Sequence, residues 1–224
     1  VAYGSENYIT TNSPNNRFST VSNKINKKQN SSSSFIPYFD STTHIVQPVI
    51  SSTCAGWNIE LIGNWGGDIQ LEDISIYGDY AYVIDFGNLR IINISDPETP
   101  REISFLGINL DYTSSLRSVT ATENYVYIGS EDGLHIVDVS VPAYPIEVGF
   151  HPVSNSYVRD VIIQGQYAYI ADFYEGLRII DISDPKLPVE VGNYMIGYYS
   201  ALSALAVNGN YAYLGDGDIF SSGT

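Results

Sequence analysis

"GLRIIDISDPKLPVEVG" occupies residues 176–192, "GLHIVDVSVPAYPIEVG" residues 133–149, and "NLRIINISDPETPREISFLG" residues 88–107. Each string places an apolar run first, a Pro-x-x-Pro element next (Pro97 and Pro100, Pro142 and Pro145, Pro185 and Pro188) and a shorter β-type run last. Upstream of them stand "YGDYAYVID", "TENYVYIGS" and "QGQYAYIAD", and a fourth copy, "NGNYAYLGD", follows at 208–216. Tyr80, Tyr125, Tyr167 and Tyr211 are thereby equivalent, with spacings of 45, 42 and 44 residues. A period in that range marks a repeated β unit.

Each unit holds four strand-sized pieces. In the third copy they are "RDVIIQG", "YAYIAD", "LRIIDIS" and "VEVGNY". Gly165-Gln166 supplies a tight turn between the first two, and "DFYEG" turns the chain again, with Gly176 free to take a positive φ. Proline lacks an amide donor and cannot sit inside a central ladder, so each Pro-x-x-Pro leads to an edge strand. Four antiparallel strands with the last at the edge form a propeller blade. The runs are apolar on both faces, as expected where blades stack on one another. A parallel β-helix, the main rival, would need shorter coils and no tight hairpins.

Composition agrees with an all-β chain. Nineteen tyrosines against one methionine favour pleated surfaces over helices. The formal charge of −15 is uneven: the first 57 residues carry four basic and two acidic groups, leaving −17 on residues 58–224. Such a surface repels phosphate backbones and anionic lipid, which argues against nucleic-acid partners. The longest apolar runs are strand-sized, so no membrane insertion is expected in this segment. Cys54 is the single cysteine, which excludes an intrachain disulfide and a Cys-x-x-Cys metal site. It reads as a small half-buried hydrophobe.

Residues 1–53 contain 24 Ser, Asn or Thr, including "SSSS" at 31–34, and lack apolar periodicity. This composition predicts a largely disordered leader or linker, with "FIPYF" (35–39) and "HIVQPVI" (44–50) as two short exceptions that either dock on the folded part or are stickier linker. The first residues, "VAYGSENYITTN", carry no initiator Met, as expected after removal of a signal peptide or cutting of a longer sequence.

The strings "LRIINIS", "LHIVDVS" and "LRIIDIS", preceded by "YAYVID", "YVYIGS" and "YAYIAD", resemble the LVIVD repeat over about residues 58–224. The resemblance implies four-stranded propeller blades in bacterial or archaeal cell-surface proteins and no established catalytic motif. The expected boundaries are an outer strand at 58–65 ("NIELIGNW"), blades at 72–107, 117–150 and 159–194, and a partial blade at 203–224. Propellers close with four to eight blades, so about four, one of them half present, predict an incomplete propeller within a longer chain.

Propellers bind ligands around the axis, where the innermost strands begin. Those starts read Glu72-Asp73, Arg117-Ser118, Arg159-Asp160 and Ser203-Ala204. The mixture of acid, base and neutral at equivalent positions makes Asp73, Arg117, Arg159 and Asp160 the candidate ligand-binding residues of the rim; ion pairing and capping are the alternative use. No catalytic residue is assigned. Asp138 and Asp181 lie in apolar strands, and the first repeat has Asn93 in their place. Asn keeps an acceptor oxygen but loses the charge, so this position needs an acceptor rather than a catalytic or metal-binding carboxylate.

"SEDG" (130–133) and "DGDI" (216–219) are the stretches that could hold Ca²⁺, but neither has the spacing or closing Glu of a calcium loop. No cofactor or resident metal is otherwise implied. His44, His135 and His151 form no metal motif, and His135, in the slot of Arg90 and Arg178, reads as an exposed polar position. Asn30 and Asn93 match glycosylation triplets, Asn93 within a strand. The expected function is a non-catalytic extracellular or cell-surface scaffold that binds a protein, a glycan or another copy of itself. A propeller-based hydrolase or lyase, its funnel completed by further blades, and a structural spacer of a surface layer are the alternatives.

Overall fold

The computed structural model describes residues 25–26, 58–59, 64–65, 70–110, 114–153, 157–195 and 201–216. The leader (apart from 25–26), Cys54, residues 60–63 of the 58–65 outer strand and "DGDI" beyond Asp216 lie outside the described residues. The chain forms an incomplete β-propeller. Two short strands, β1 (Ile25–Asn26) and β2 (Asn58–Ile59), pair antiparallel. The first blade is β3 (Asp73–Tyr77), β4 (Tyr80–Ile84), β5 (Asn88–Asn93) and β6 (Arg101–Gly107). The second is β7 (Leu116–Ala121), β8 (Tyr125–Ser130), β9 (Gly133–Asp138) and β10 (Ile146–Pro152). The third is β11 (Val158–Gln164), β12 (Tyr167–Asp172), β13 (Gly176–Asp181) and β14 (Val189–Tyr194). β15 (Leu202–Asn208) and β16 (Tyr211–Asp216) form a two-stranded start of a fourth. Within each four-stranded sheet the strands pair in chain order, all antiparallel, a meander that excludes a β-helix.

Period-two alternation explains why these strands read as unbroken apolar runs. On β4, Tyr82 and Ile84 enter the core shared with the second blade, while Ala81 and Val83 pack on the opposite face with Trp65 and Leu71. On β8, Val126 and Ile128 meet the first blade and Tyr127 meets the third. Both faces of a blade are interior because each face is the other half of a neighbour's core. Gly176 takes φ 88° at the β12–β13 turn, as its position in the sequence predicted.

Neighbouring blades are also stitched at both radii. Near the axis, the Ala121 amide donates to Ser75 Oγ (3.0 Å), and the Thr120 hydroxyl donates to the Val161 carbonyl. At the periphery, the Ser104 hydroxyl donates to the Pro142 carbonyl at 2.6 Å. The slot of Ser104 is Gly149 in the second blade, where a Cβ would overlap the Pro185 carbonyl oxygen of the third. Gly192, in the same slot of the third blade, would meet only Ile179 Cδ1, at 3.8 Å. Gly149→Ala is therefore expected to destabilise the protein by about 1–3 kcal/mol, while Gly192→Ala stays within about 0.5 kcal/mol. Urea titration of both variants checks this, and equal midpoints would refute the close-approach explanation.

Candidate functional site

The innermost strands begin at one end of the blades, beside the β4–β5, β8–β9 and β12–β13 turns. Asp73 Oδ2 accepts from the Val119 amide of the second blade at 2.8 Å, and its Oδ1 accepts from Ile74 N at 2.8 Å. Asp160 Oδ2 accepts from the Leu205 amide of the fourth blade at 2.9 Å. The two aspartates therefore make the same bond, each holding the innermost strand of the next blade. Burial raises the Asp160 carboxyl above the ordinary aspartate range, although the Leu205 and Val161 amides pull it back.

Arg117 pairs with Glu131 of its own blade and reaches Glu72 of the first at 3.9 Å. Arg159 lies over the Phe173 ring at 4.8 Å and the Tyr157 ring at 5.8 Å. The four candidate residues thus occupy one end of the propeller, and each contacts a named partner within the chain.

Asp160→Asn keeps an acceptor for Leu205 N and removes a charge whose burial is unfavourable. It is expected to be neutral or stabilising near pH 7, whereas Asp160→Ala leaves a buried amide unpaired at about 1–3 kcal/mol. Equal losses in both variants, read by thermal melting, would rule out the clamp.

A second repeated constellation escaped the sequence reading. Arg90 Nε donates to Asp85 Oδ2 at 2.7 Å and Nη1 to Glu102 Oε2 at 3.2 Å. Arg178 repeats this with Asp172 Oδ2 (2.7 Å) and Glu190 Oε2 (2.8 Å), and adds Glu175 Oε2 (2.7 Å). The other oxygen of each aspartate accepts turn amides: Asp85 Oδ1 from Gly87 and Asn88, Asp172 Oδ1 from Tyr174 and Glu175. Burial alone would raise Asp85, but Arg90, Asn88 and the amides outweigh it and hold the carboxyl low.

The second blade substitutes both members together. Ser130 stands at the aspartate position and its hydroxyl oxygen accepts from the Asp132 and Gly133 amides. His135 stands at the arginine position, with Nδ1 at 2.7 Å from Glu147 Oε1 and Nε2 at 3.0 Å from Asp132 Oδ1. The expectation that His135 is exposed is wrong: it is 2% exposed, with its ring 4.6 Å from that of Phe150. The slot is polar because it is a buried ion-pair position, not because it faces water. A signal was available, since the acid at the second position of the outer strand (Glu102, Glu147, Glu190) recurs with the cation in every complete blade.

Asn93, Asp138 and Asp181 share a single use. Their Oδ1 atoms accept from the amides of Ser95 (3.0 Å), Ser140 (2.9 Å) and Ser183 (2.8 Å). In "SEDG", Glu131 is engaged by Arg117 and Asp132 by His135. Among the described residues no group of three or more His, Cys, Asp or Glu is placed to hold a metal ion. Nor is any helix among them long and apolar enough to cross a membrane.

The family described as LVIVD repeat matches residues 67–105, 115–151, 156–196 and 202–219. No curated protein matches the chain. Among solved structures it is similar to the computationally designed Ika4 protein, with TM-score 0.57 and 15% identity over 72% of this chain and 94% of that one. It is also similar to the Pseudomonas aeruginosa periplasmic gluconolactonase PpgL, with TM-score 0.56 and 13% identity over 67% of this chain and 52% of PpgL. The chain spans about half the length of PpgL. At these identities the likeness shows the fold alone.

Proposed function

Because this chain belongs to the LVIVD repeat family, we propose that it is a non-catalytic binding scaffold, secreted or displayed at a cell surface. Its binding face is the rim where Asp73, Arg117, Arg159 and Asp160 lie, and its partner is a protein or a glycan. The observation that carries this reading is the contrast between blade interiors that keep one apolar pattern and a rim whose charge changes from blade to blade. Blade cores stay apolar at equivalent positions, apart from the exchange of the Asp–Arg pair for Ser130 and His135 in the second blade, whereas the rim offers a carboxylate, a guanidinium or a neutral side chain at equivalent positions. Rim variation around a fixed scaffold is how one repeat architecture carries different ligands. The engagement of each rim charge by a neighbour supports recognition over acid–base chemistry, which would need convergent carboxylates.

The test is a saturable-binding screen of the protein against envelope proteins and surface polysaccharides, repeated with Arg117→Ala and Arg159→Ala. Binding that saturates and weakens in either variant supports the reading. Absence of any saturable partner would favour the surface-layer spacer. The hydrolase or lyase reading draws on one specific feature, the partly buried Asp160 carboxyl held above its usual range. Turnover of glycans, lactones or phosphate esters that disappears in Asp160→Asn would establish it instead.

A further inference from the structure

The β12–β13 turn of the third blade differs from its counterparts. Asp85 to Asn88 and Ser130 to Gly133 each span four residues, whereas Asp172 to Gly176 spans five, "DFYEG". Insertions in a repeat array map to loops on one face, often the binding face. The extra residue brings two adjacent aromatics, Phe173 and Tyr174, to the rim. Their rings meet edge to face at 5.0 Å, and Tyr157, from the approach to β11, meets Phe173 at 6.4 Å and Tyr174 at 5.6 Å.

The cluster is held rigidly. The Phe173 amide donates to the Tyr157 carbonyl at 2.9 Å, and the Tyr174 and Glu175 amides bond Asp172 Oδ1. Asp172 is fixed by Arg178, which also binds Glu175. Arg159 covers Phe173 and Tyr157 from one side. Tyr174 remains 50% exposed, at a place where a platform of fixed orientation costs little further ordering on binding.

We propose that this cluster is a carbohydrate subsite, with Tyr174 as the stacking platform and Arg159 and Glu175 as the flanking polar groups, for a neutral polysaccharide. It rests on the reading of the rim as a binding face. A pyranose ring presents weakly positive C–H groups that suit the negative face of an aromatic ring, while its hydroxyls both donate and accept. Arg159, over Phe173 and Tyr157, supplies donors, and Glu175, held by Arg178 yet half exposed, supplies an acceptor. A cationic ligand is disfavoured because Arg159 already takes the faces of Phe173 and Tyr157. An anionic polymer is disfavoured by the −17 charge on residues 58–224.

Affinity electrophoresis of the full chain in gels containing soluble β-glucan, mannan or galactan tests this, with circular dichroism confirming the fold of each variant. Saturable retardation by at least one polymer, weakened at least about tenfold by Tyr174→Ala and unchanged by Tyr144→Ala, is the expected result. Tyr144 is 76% exposed on a Pro-x-x-Pro connection at the other end of the blades, so it reports general stickiness. Equal loss in both variants overturns the subsite. Failure of all three polymers, with an envelope protein still captured through Arg159, overturns the carbohydrate assignment and leaves the scaffold reading standing. Failure of polymers and proteins alike removes both.

Discussion

Replacing Arg178 with alanine is expected to destabilise the protein by about 3–5 kcal/mol, the cost of breaking a buried ion pair by deleting one partner. Three carboxylates converge on this guanidinium, and one of them, on Asp172, is completely buried. Without Arg178 the Asp172 charge would keep, among the described residues, its turn amides as compensation. Glu190, which burial alone would raise but Asn193 and Arg178 hold low, would shift back toward its ordinary range. The melting temperature should fall by about 10 °C for a chain of this size. Arg178→Lys retains a cation but not the fork that reaches two strands and a turn, so it should recover only part of the loss. A loss below about 1 kcal/mol in Arg178→Ala would show that the network is solvated and unimportant.

The second large effect is pH-dependent and belongs to His135. Burial disfavours its charged form, but Glu147 and Asp132, one at each ring nitrogen, outweigh burial and raise its pKa. A raised histidine pKa means the folded state binds the proton more tightly than the unfolded chain. The resulting stability is fully present below the unfolded value of about 6.5 and is lost as pH rises through the folded value. Lowered carboxylates such as Asp85 and Glu190 contribute in the opposite window, losing their stability as pH falls through their folded values. Denaturant melts across pH 6–9 should therefore show a decline on the alkaline side that His135→Leu removes. At pH 6 the same variant should lose about 3 kcal/mol, because two carboxylates are left facing each other without their cation. An unchanged alkaline slope in His135→Leu would assign that slope to another group.

The two ion-pair positions show how far a single sequence can be read. The equivalence of Arg90, His135 and Arg178 was visible from the repeat, and so was the acceptor role common to Asn93, Asp138 and Asp181. That second reading succeeded because the acceptor and its Ser amide lie two residues apart, within one turn. The first failed because the pairing is completed by the fold: Glu147 lies on the neighbouring strand, and Asp132 reaches the ring from the β8–β9 turn, where Ser130 accepts the turn amides. Local spacing cannot report such a pairing, and a polar residue in a strand then reads as exposed.

The sequence by itself determined the all-β class, the repeat period, the turn positions and the four-stranded blade. These follow from apolar periodicity, the donor deficit of proline and turn chemistry, all of which act within a few residues. Only the tertiary structure decided what the rim residues do. Asp73 and Asp160 look outward in a linear reading, yet each accepts an amide of the following blade, some 45 residues further along the chain. Arg117 and Arg159 are likewise defined by what the fold packs beside them, carboxylates for one and aromatic rings for the other. The reason is physical: a blade's hydrogen bonds are mostly its own, but its faces and its innermost edge are completed by a neighbour, so the chemistry of the rim exists only once blades have stacked.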